Sequence, residues 1–177
     1  MNNWRLFKAI EQKTNYDCGV AVVKMALETA KPSLKISYGK VLDMLGANNH
    51  DGVSVRDIKK VLEKYEVGYE IKDLAKVEDL KIAVDNGDVV MVAFQTWFDL
   101  WRPFEKLDDG HFSLVIGYEN ENLILADPSV HEEVDGIKKG IRIVDEKTFE
   151  KNWFDREYKG ALFDHWMLDV KIGNPRD

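Results

Sequence analysis

The sequence predicts an α+β fold in which helices come first and an antiparallel sheet follows. The first half of the chain carries apolar residues at helical spacing, between residues that favour helix ends. The second half carries short apolar runs of strand length, separated by turn-forming residues. Because the 177 residues hold no repeat and no Gly/Ser linker, we expect one domain over 1–177. A helical lobe is expected to about residue 87, and the sheet from about residue 88.

Four helices are predicted in the first half, each with an apolar face. Asp17 stands before the first as a candidate N-cap, and Gly46 follows the second as a stop signal. Ser54 and Asp57 are spaced as in a capping box at the start of the third. The predicted helices are CGVAVVKMALETA, SYGKVLDML, SVRDIKKVLEKY and VEDLKIAVDNG.

The second half is read as strands with one short helix. The segment ENEN between two apolar runs is the clearest hairpin signal in the chain. The predicted strands are DVVMVAFQ, HFSLVIGY, NLILADPS, GIRIVD and HWMLDVKI, and the predicted helix is EKTFEKNWF.

Composition narrows the function classes. Hydrophobic residues make up 45% of the chain, enough for a sizeable core. The net charge is −7, without a basic run, which argues against nucleic acid as the main partner. The single cysteine cannot form an internal disulfide, and no stretch is long enough for a signal peptide or membrane helix. We therefore expect a cytoplasmic protein without a membrane segment.

The only cysteine, Cys18, lies in NYDCGV at the predicted first turn of a helix. Free N–H groups and the helix dipole at such a position stabilise a thiolate, the form that acts as a nucleophile. Gly19 is expected to allow close approach of a substrate backbone. The alternative is a small buried hydrophobic residue, which is the more frequent role of a free cysteine.

Two further residues complement a nucleophilic thiol. Gln12, one short loop upstream, carries an amide that can donate to an oxyanion, although an exposed polar role is the alternative. His111 begins a predicted strand directly after a turn, where an imidazole can take the thiol proton and return it to a leaving amine. The other histidines, His50, His131 and His165, are expected to be surface or packing residues.

An imidazole in this role needs an orienting partner, and Asp127 is the candidate because it closes an apolar strand. An aspartate that opens a turn before proline is the alternative. With a two-residue loop at residues 120–121, Asp127 points away from His111. With a three-residue loop at residues 119–121, His111 lies opposite Ser129, and Asp127 is its diagonal neighbour at roughly 7–8 Å.

The pairing of His111 with Asp127 therefore predicts a three-residue loop or an equivalent bulge. Asn120 or Glu121 is then expected in the left-handed region of backbone conformation.

Three stretches in order, QKTNYDCG, GHFSLVIGY and NLILADPS, resemble the papain-like cysteine peptidases, with FEKNW as a weaker match. Within them the chain is most similar to the bacteriocin-processing, double-glycine leader peptidase family and its free-standing relatives, over roughly residues 8–155. The resemblance implies a papain-like fold with its cleft between a helical lobe and a sheet, a peptide or protein substrate and no cofactor or metal. It assigns Cys18 as nucleophile, His111 as general base and acid, Asp127 as orienting residue and Gln12 as oxyanion donor.

Two features depart from the family pattern. Relatives often have Cys-Gly-Pro or Cys-Gly-Ala where this chain has Cys-Gly-Val at residues 18–20. The best-known members are fused to ABC exporters, whereas this sequence has neither membrane segments nor a Walker motif. Leader cleavage during export is therefore not implied.

The stretch between the strand DVVMVAFQ and His111 is rich in aromatic residues. These residues are expected either to pack a substrate peptide at the mouth of the cleft or to form an ordinary loop against the core. They are Trp97, Phe98, Trp101 and Phe104.

The leading hypothesis is a cysteine peptidase or related amide hydrolase that acts through an acyl-enzyme, with acyl transfer as a variant. A non-catalytic module that binds peptides on the same fold is the alternative. A metal site formed by Cys18, His111 and Asp127 is disfavoured, because these residues lack the close pairing of ligands that zinc sites show.

Overall fold

The helices begin and end close to the positions that the sequence predicts. The structure, a computed structural model, describes residues 4–48, 52–96, 110–156 and 162–173. In this part of the chain the helices are α1 (Cys18–Ala30), α2 (Tyr38–Leu45), α3 (Val55–Lys64), α4 (Val77–Asp85) and α5 (Glu146–Asn152), after a 3-10 turn at Trp4–Leu6.

The helix caps follow their residue types. Ser54 Oγ accepts a hydrogen bond from Asp57 N at 3.2 Å, as the predicted capping pair requires. Gly46 ends α2 with a φ of 62°, the left-handed conformation that glycine adopts without a steric penalty. Asp17 occupies the N-cap position of α1, but its side chain makes no capping bond to the helix. The prediction for Asp17 is thus correct in position and wrong in contact.

The strands of the main sheet are all antiparallel to their neighbours. In the order of the sheet they are β1 (Tyr69–Lys72), β8 (Met167–Val170), β2 (Val89–Gln95), β3 (Gly110–Glu119), β4 (Asn122–Ala126) and β5 (Ile141–Asp145). A separate two-stranded sheet is formed by β6 (Phe154–Arg156) and β7 (Leu162–Asp164). The sheet and the helices give the α+β fold that the sequence predicts.

Several strand boundaries differ from the prediction. The sequence does not predict β1, a short edge strand with three exposed residues of four, which lacks an apolar run. It also extends the helix EKTFEKNWF to Phe154, which instead begins β6. The last strand begins at Met167 and not at His165, because His165 has a φ of 49° and cannot continue an extended strand.

Helices cover both faces of the main sheet. On one face α1, α2 and α3 pack through a core that includes Leu27, Ile58 and Leu114. On the other face α4 and α5 pack through a second core that includes Leu80 and Phe149. All seven residues of β2 are buried, which explains why this strand reads as a continuous apolar run in the sequence.

The β3–β4 hairpin has a two-residue turn, so the predicted three-residue loop is wrong. Asn120 and Glu121 form the turn, and both have a positive φ, of 49° and 62°. Glu119 accordingly pairs with Asn122. This is the twist that a two-residue hairpin prefers.

A β-bulge in β3 then shifts the register, as the predicted alternative requires. Val115 pairs with Leu125 but Gly117 pairs with Ile124, so Ile116 is the extra residue. Beyond the bulge Leu114 pairs with Ala126, and the same register continued puts His111 opposite Ser129. The bulge therefore shifts the register by one residue, as a three-residue loop would have done.

Candidate active site

Cys18 is the first residue of α1 and is half-buried. The helix starts at this point because Val20 N and Ala21 N both donate to Asp17 O, at 3.0 and 3.2 Å. The first N–H groups of a helix have no partner within it, so the thiol lies where the helix dipole favours a negative charge. Cys18 is thus partly exposed, although it also packs against the edge of the first core.

Gly19 has a different role from the one that the sequence suggests. The residue is buried, and a Cβ added to it would lie 2.9 Å from Val53 Cβ and 3.4 Å from Phe112 Cδ2. Glycine is needed here because the helix packs closely against these side chains. The expectation that Gly19 leaves room for a substrate backbone is wrong.

The loop that carries Gln12 is hydrogen-bonded to Asp17, directly before Cys18, and to Pro128, directly after Asp127. Asp17 Oδ1 accepts hydrogen bonds from Lys13 N at 3.0 Å and Thr14 N at 2.9 Å. Gln12 Nε2 donates to Thr14 O at 2.9 Å, and Gln12 N donates to Pro128 O at 3.0 Å. The buried Asp17 carboxylate thus holds the loop, and the loop contacts the segment directly after Asp127.

His111 lies near the start of β3 and is buried. Its Nε2 lies 2.7 Å from Asp127 Oδ1, and the edge of its ring meets Phe94 with the ring centroids 5.6 Å apart. The Cys18 side chain is close enough to the imidazole to raise its pKa. Because Asp127 occupies Nε2, Nδ1 is the nitrogen that remains for the thiol.

The charges around His111 favour its protonated form. Burial alone lowers the pKa of the imidazole, but the hydrogen bonds and charges of Asp127 and Cys18 outweigh it and raise the pKa to about 10. An imidazolium beside a sulfur favours the thiolate, which is the nucleophilic form of cysteine. The protonated imidazole therefore places a positive charge near the Cys18 side chain.

Asp127 follows β4 directly and is fully buried. Besides His111, its carboxylate accepts hydrogen bonds from Ser129 N at 2.8 Å, Ser129 Oγ at 2.7 Å and Arg142 Nε at 2.5 Å. Burial raises the pKa of Asp127, but the bond and charge of His111 and the charge of Arg142 outweigh it and hold the pKa well below its usual range. The carboxylate is therefore a fixed anion.

The remaining histidines whose structure is described have other partners. His131 is exposed, and its Nδ1 lies 3.3 Å from Glu11 Oε2. His165 packs against Trp153 and bonds Asp164, which confirms the prediction of surface and packing roles for both histidines. His50 and the aromatic segment from Trp97 to Phe104 lie outside the described residues.

Two acidic or basic residues near His111 and Asp127 are not predicted from the sequence. Arg142 contacts Asp127 from β5, and a lone cation within the apolar run GIRIVD was the available signal. Asp155, in β6, is buried and accepts a hydrogen bond from Gln95 Nε2 at 3.0 Å. Its Oδ1 lies 2.1 Å from the position of a Cβ on Gly110, so only glycine fits directly before His111. No sequence pattern marks Asp155.

Within the described ranges, no group of three or more His, Cys, Asp or Glu side chains is arranged to hold a metal ion. No helix in that part of the chain is both long and apolar enough to cross a membrane.

Solved structures with the same fold include peptidase domains. A C39-like protein from Bacillus anthracis superposes with a TM-score of 0.66 at 14% identity, over 94% of each chain. The peptidase domain of Streptococcus ComA, a bi-functional ABC transporter involved in quorum sensing, gives 0.62 at 17% identity, over 94% of this chain and 99% of that one. A double-glycine-motif protease from an AMS/PCAT transporter, in complex with the leader peptide, gives 0.61 at 16%, over 92% and 90%.

The sequence itself identifies the family. No curated protein matches the chain. The family model of the peptidase C39 family matches residues 6–156, which include Gln12, Cys18, His111 and Asp127. Since this match spans most of the chain, the protein belongs to the peptidase C39 family and is a cysteine peptidase.

Proposed function

We propose that the protein hydrolyses an amide bond of a peptide or protein substrate with Cys18 as nucleophile, His111 as general base and acid, and Asp127 as the residue that orients the imidazole. The observation that carries this proposal is the buried pair of His111 and Asp127, with Nε2 2.7 Å from Oδ1, beside the half-buried Cys18, which raises the pKa of the imidazole. Gln12 belongs to the same proposal as an oxyanion donor.

The reaction would proceed in two steps through an acyl-enzyme. The Cys18 thiolate attacks the carbonyl carbon, a C–S bond forms, and the carbonyl π pair moves to the oxygen. As the C–N bond breaks, His111 gives a proton to the amine nitrogen. A water molecule then loses a proton to His111 and attacks the acyl carbon, so that the C–S bond breaks and the thiolate returns.

The oxyanion would be held by Gln12 and the backbone N–H of Cys18. The amide of Gln12 carries two N–H groups, and one of them donates to Thr14 O. The second N–H is left for the substrate. The bonds from Lys13 N and Thr14 N to Asp17 support this role, since they hold the loop that carries Gln12 against the start of α1.

A peptide substrate is supported by the structural neighbour that holds a leader peptide. We place the reaction in the cytoplasm, because a thiol nucleophile must stay reduced to act. Transfer of the acyl group to an amine or thiol would use the same residues, with the acceptor in place of water.

The activated thiol can be tested by alkylation, because Cys18 is the only cysteine in the chain. An ordinary thiol is almost entirely protonated at pH 6, whereas a thiolate–imidazolium pair is not. We expect iodoacetamide at pH 6 to modify the wild type at least about tenfold faster than His111→Ala. Intact mass gives the rate.

A matched control separates this effect from any general change. His131→Ala removes an exposed imidazole that bonds Glu11, and it should alkylate at the wild-type rate. A peptide library read by mass spectrometry, with Cys18→Ala as blank, then tests turnover. Slow alkylation that does not depend on His111 would instead favour a module that only binds peptides.

Gln12 is tested separately from the thiol. Gln12→Ala removes the proposed oxyanion donor and leaves the Cys18–His111 pair in place, so turnover should fall by about 10²- to 10³-fold. Alkylation by iodoacetamide creates no oxyanion and should keep its wild-type rate. A parallel loss of turnover and alkylation would show that Gln12 only supports the loop.

A further inference from the structure

The buried carboxylate of Asp127 has a second charged partner besides His111. Oδ1 faces His111 Nε2 at 2.7 Å and the two Ser129 donors, whereas Oδ2 accepts from Arg142 Nε at 2.5 Å. A second guanidinium nitrogen, Arg142 Nη2, lies 3.5 Å from Ser129 Oγ. The two oxygens of Asp127 thus have different partners. Together, these hydrogen bonds fix the orientation of the carboxylate.

The register of the sheet brings Arg142 to this position. Ala126 pairs with Ile141 in the β4–β5 ladder, and Asp127 N donates to Gly140 O at 2.9 Å. Arg142 is therefore the diagonal neighbour of Asp127 on the same face, within reach of a long side chain.

Among the described residues, groups from several elements act on His111. Cys18 from α1 and Asp127 from the end of β4 favour the imidazolium. Asp155 from β6 interacts with it electrostatically, and Phe94 from β2 makes a T-shaped ring contact with it. A permanent cation on the far side of Asp127 offsets part of the attraction between its carboxylate and the imidazolium.

We propose that Arg142 is a positioning residue of the active site, which fixes the outer oxygen of Asp127 and limits the negative charge that Asp127 presents to His111. This inference rests on the proposed roles of Cys18, His111 and Asp127. The guanidinium keeps the carboxylate ionised and correctly turned, and it keeps the imidazolium able to release its proton to the leaving amine. A site without it would hold the proton more tightly.

The test is the pH dependence of alkylation by iodoacetate. This reagent is an anion, so its reaction is fastest while an imidazolium lies beside the thiolate, and the rate falls when His111 loses its proton. In Arg142→Gln the fall should move to higher pH by about one unit, because the offsetting cation is gone. Stopped-flow pH jumps allow the measurement before alkaline unfolding.

A lysine at the same position separates charge from geometry. Arg142→Lys keeps the positive charge but not the planar fork of donors. The fall should stay at the wild-type pH, while the maximum rate drops by about three- to tenfold because Asp127 is less well oriented. If Arg142→Gln does not fold, Arg142→Lys still tests the proposal. A maximum alkylation rate equal to that of the wild type, or a fall of the rate at a different pH, would overturn it.

Arg5→Gln is the matched control, since Arg5 is an exposed arginine 3.7 Å from Glu119 and should change neither value. The proposed role of Arg142 would be wrong if the alkylation rate of Arg142→Gln fell at the wild-type pH or at a lower pH. It would also be wrong if Arg5→Gln showed the same shift as Arg142→Gln. Slow, pH-insensitive alkylation of the wild type, which does not respond to His111→Ala, would instead contradict the proposed function itself. The two failures are therefore distinguishable.

Discussion

Asp155 is a carboxyl group that the fold buries close enough to His111 for the imidazole to act on its pKa. Only 6% of the residue is exposed, and its Oδ1 accepts from Gln95 Nε2 at 3.0 Å and Arg156 N at 2.7 Å. Burial raises the pKa of Asp155 to about 7, and the two donors and the charge of His111 offset only part of this effect. The group therefore changes its charge near neutral pH.

A buried acid of this kind makes folding stability depend on pH. The unfolded chain releases the Asp155 proton near pH 3.8, whereas the folded protein keeps it to about pH 7. Stability should therefore decline as the pH rises from about 4 to about 7. Asp155→Asn keeps a neutral side chain with an acceptor oxygen and removes this decline, by up to about 4 kcal/mol at pH 8. Urea unfolding at pH 4 and pH 8 measures the difference.

The prediction gives the direction in which the free energies of unfolding of the wild type and Asp155→Asn differ at each pH. At pH 4 the wild type and Asp155→Asn should have similar free energies of unfolding, and at pH 8 the variant should be the more stable. Asp73→Asn changes an exposed aspartate and should behave as the wild type at both values. Equal stabilities of the wild type and Asp155→Asn at pH 8 would show that Asp155 is ionised without cost.

At the level of elements, the β3–β4 hairpin shows what a sequence can and cannot indicate. The turn residues Asn120 and Glu121 were predicted because polar turn residues lie between two apolar runs. The bulge at Ile116 was only an alternative, because a strand buried on both faces has no alternation that would reveal an extra residue. The register of His111 thus depended on a feature that the sequence does not mark.

The same reasoning explains which contacts of the site were missed. Cys18, His111 and Asp127 can be predicted from the sequence because cysteine, histidine and aspartate have known roles in nucleophilic catalysis. Arg142 and Asp155 act through tertiary neighbours, and pairing across a sheet cannot be read from one segment. Candidate catalytic residues are therefore easier to predict from a sequence than the buried residues that contact them in the fold.

At the scale of the whole molecule, the candidate site joins the helical layer to the sheet. Cys18 begins α1, which packs on one face of the sheet through the first core, while His111 and Asp127 belong to the strand ends. The position of the thiol relative to the imidazole thus depends on how closely α1 approaches β3. That approach is limited by Gly19, which faces Val53 and Phe112.

Adding one methyl group at Gly19 should therefore disturb the site from a distance. A Cβ at this position would lie 2.9 Å from Val53 Cβ, closer than side chains tolerate, so the first turn of α1 must shift. We expect Gly19→Ala to unfold with a free energy lower by about 1–3 kcal/mol. Alkylation of Cys18 by iodoacetamide at pH 6 should slow by at least about threefold, because a displaced thiolate loses contact with the imidazolium.

Gly39→Ala is the matched control, because it makes the same change in α2, where a new Cβ meets no atom within 4 Å. Alanine lowers the conformational entropy of the unfolded chain, so this variant should be more stable by about 0.5–1 kcal/mol. Its Cys18 should alkylate at the wild-type rate. If Gly19→Ala also alkylated at that rate, the thiol and the imidazole would keep their contact without the close packing of α1, and the dependence of the site on this interface would be wrong.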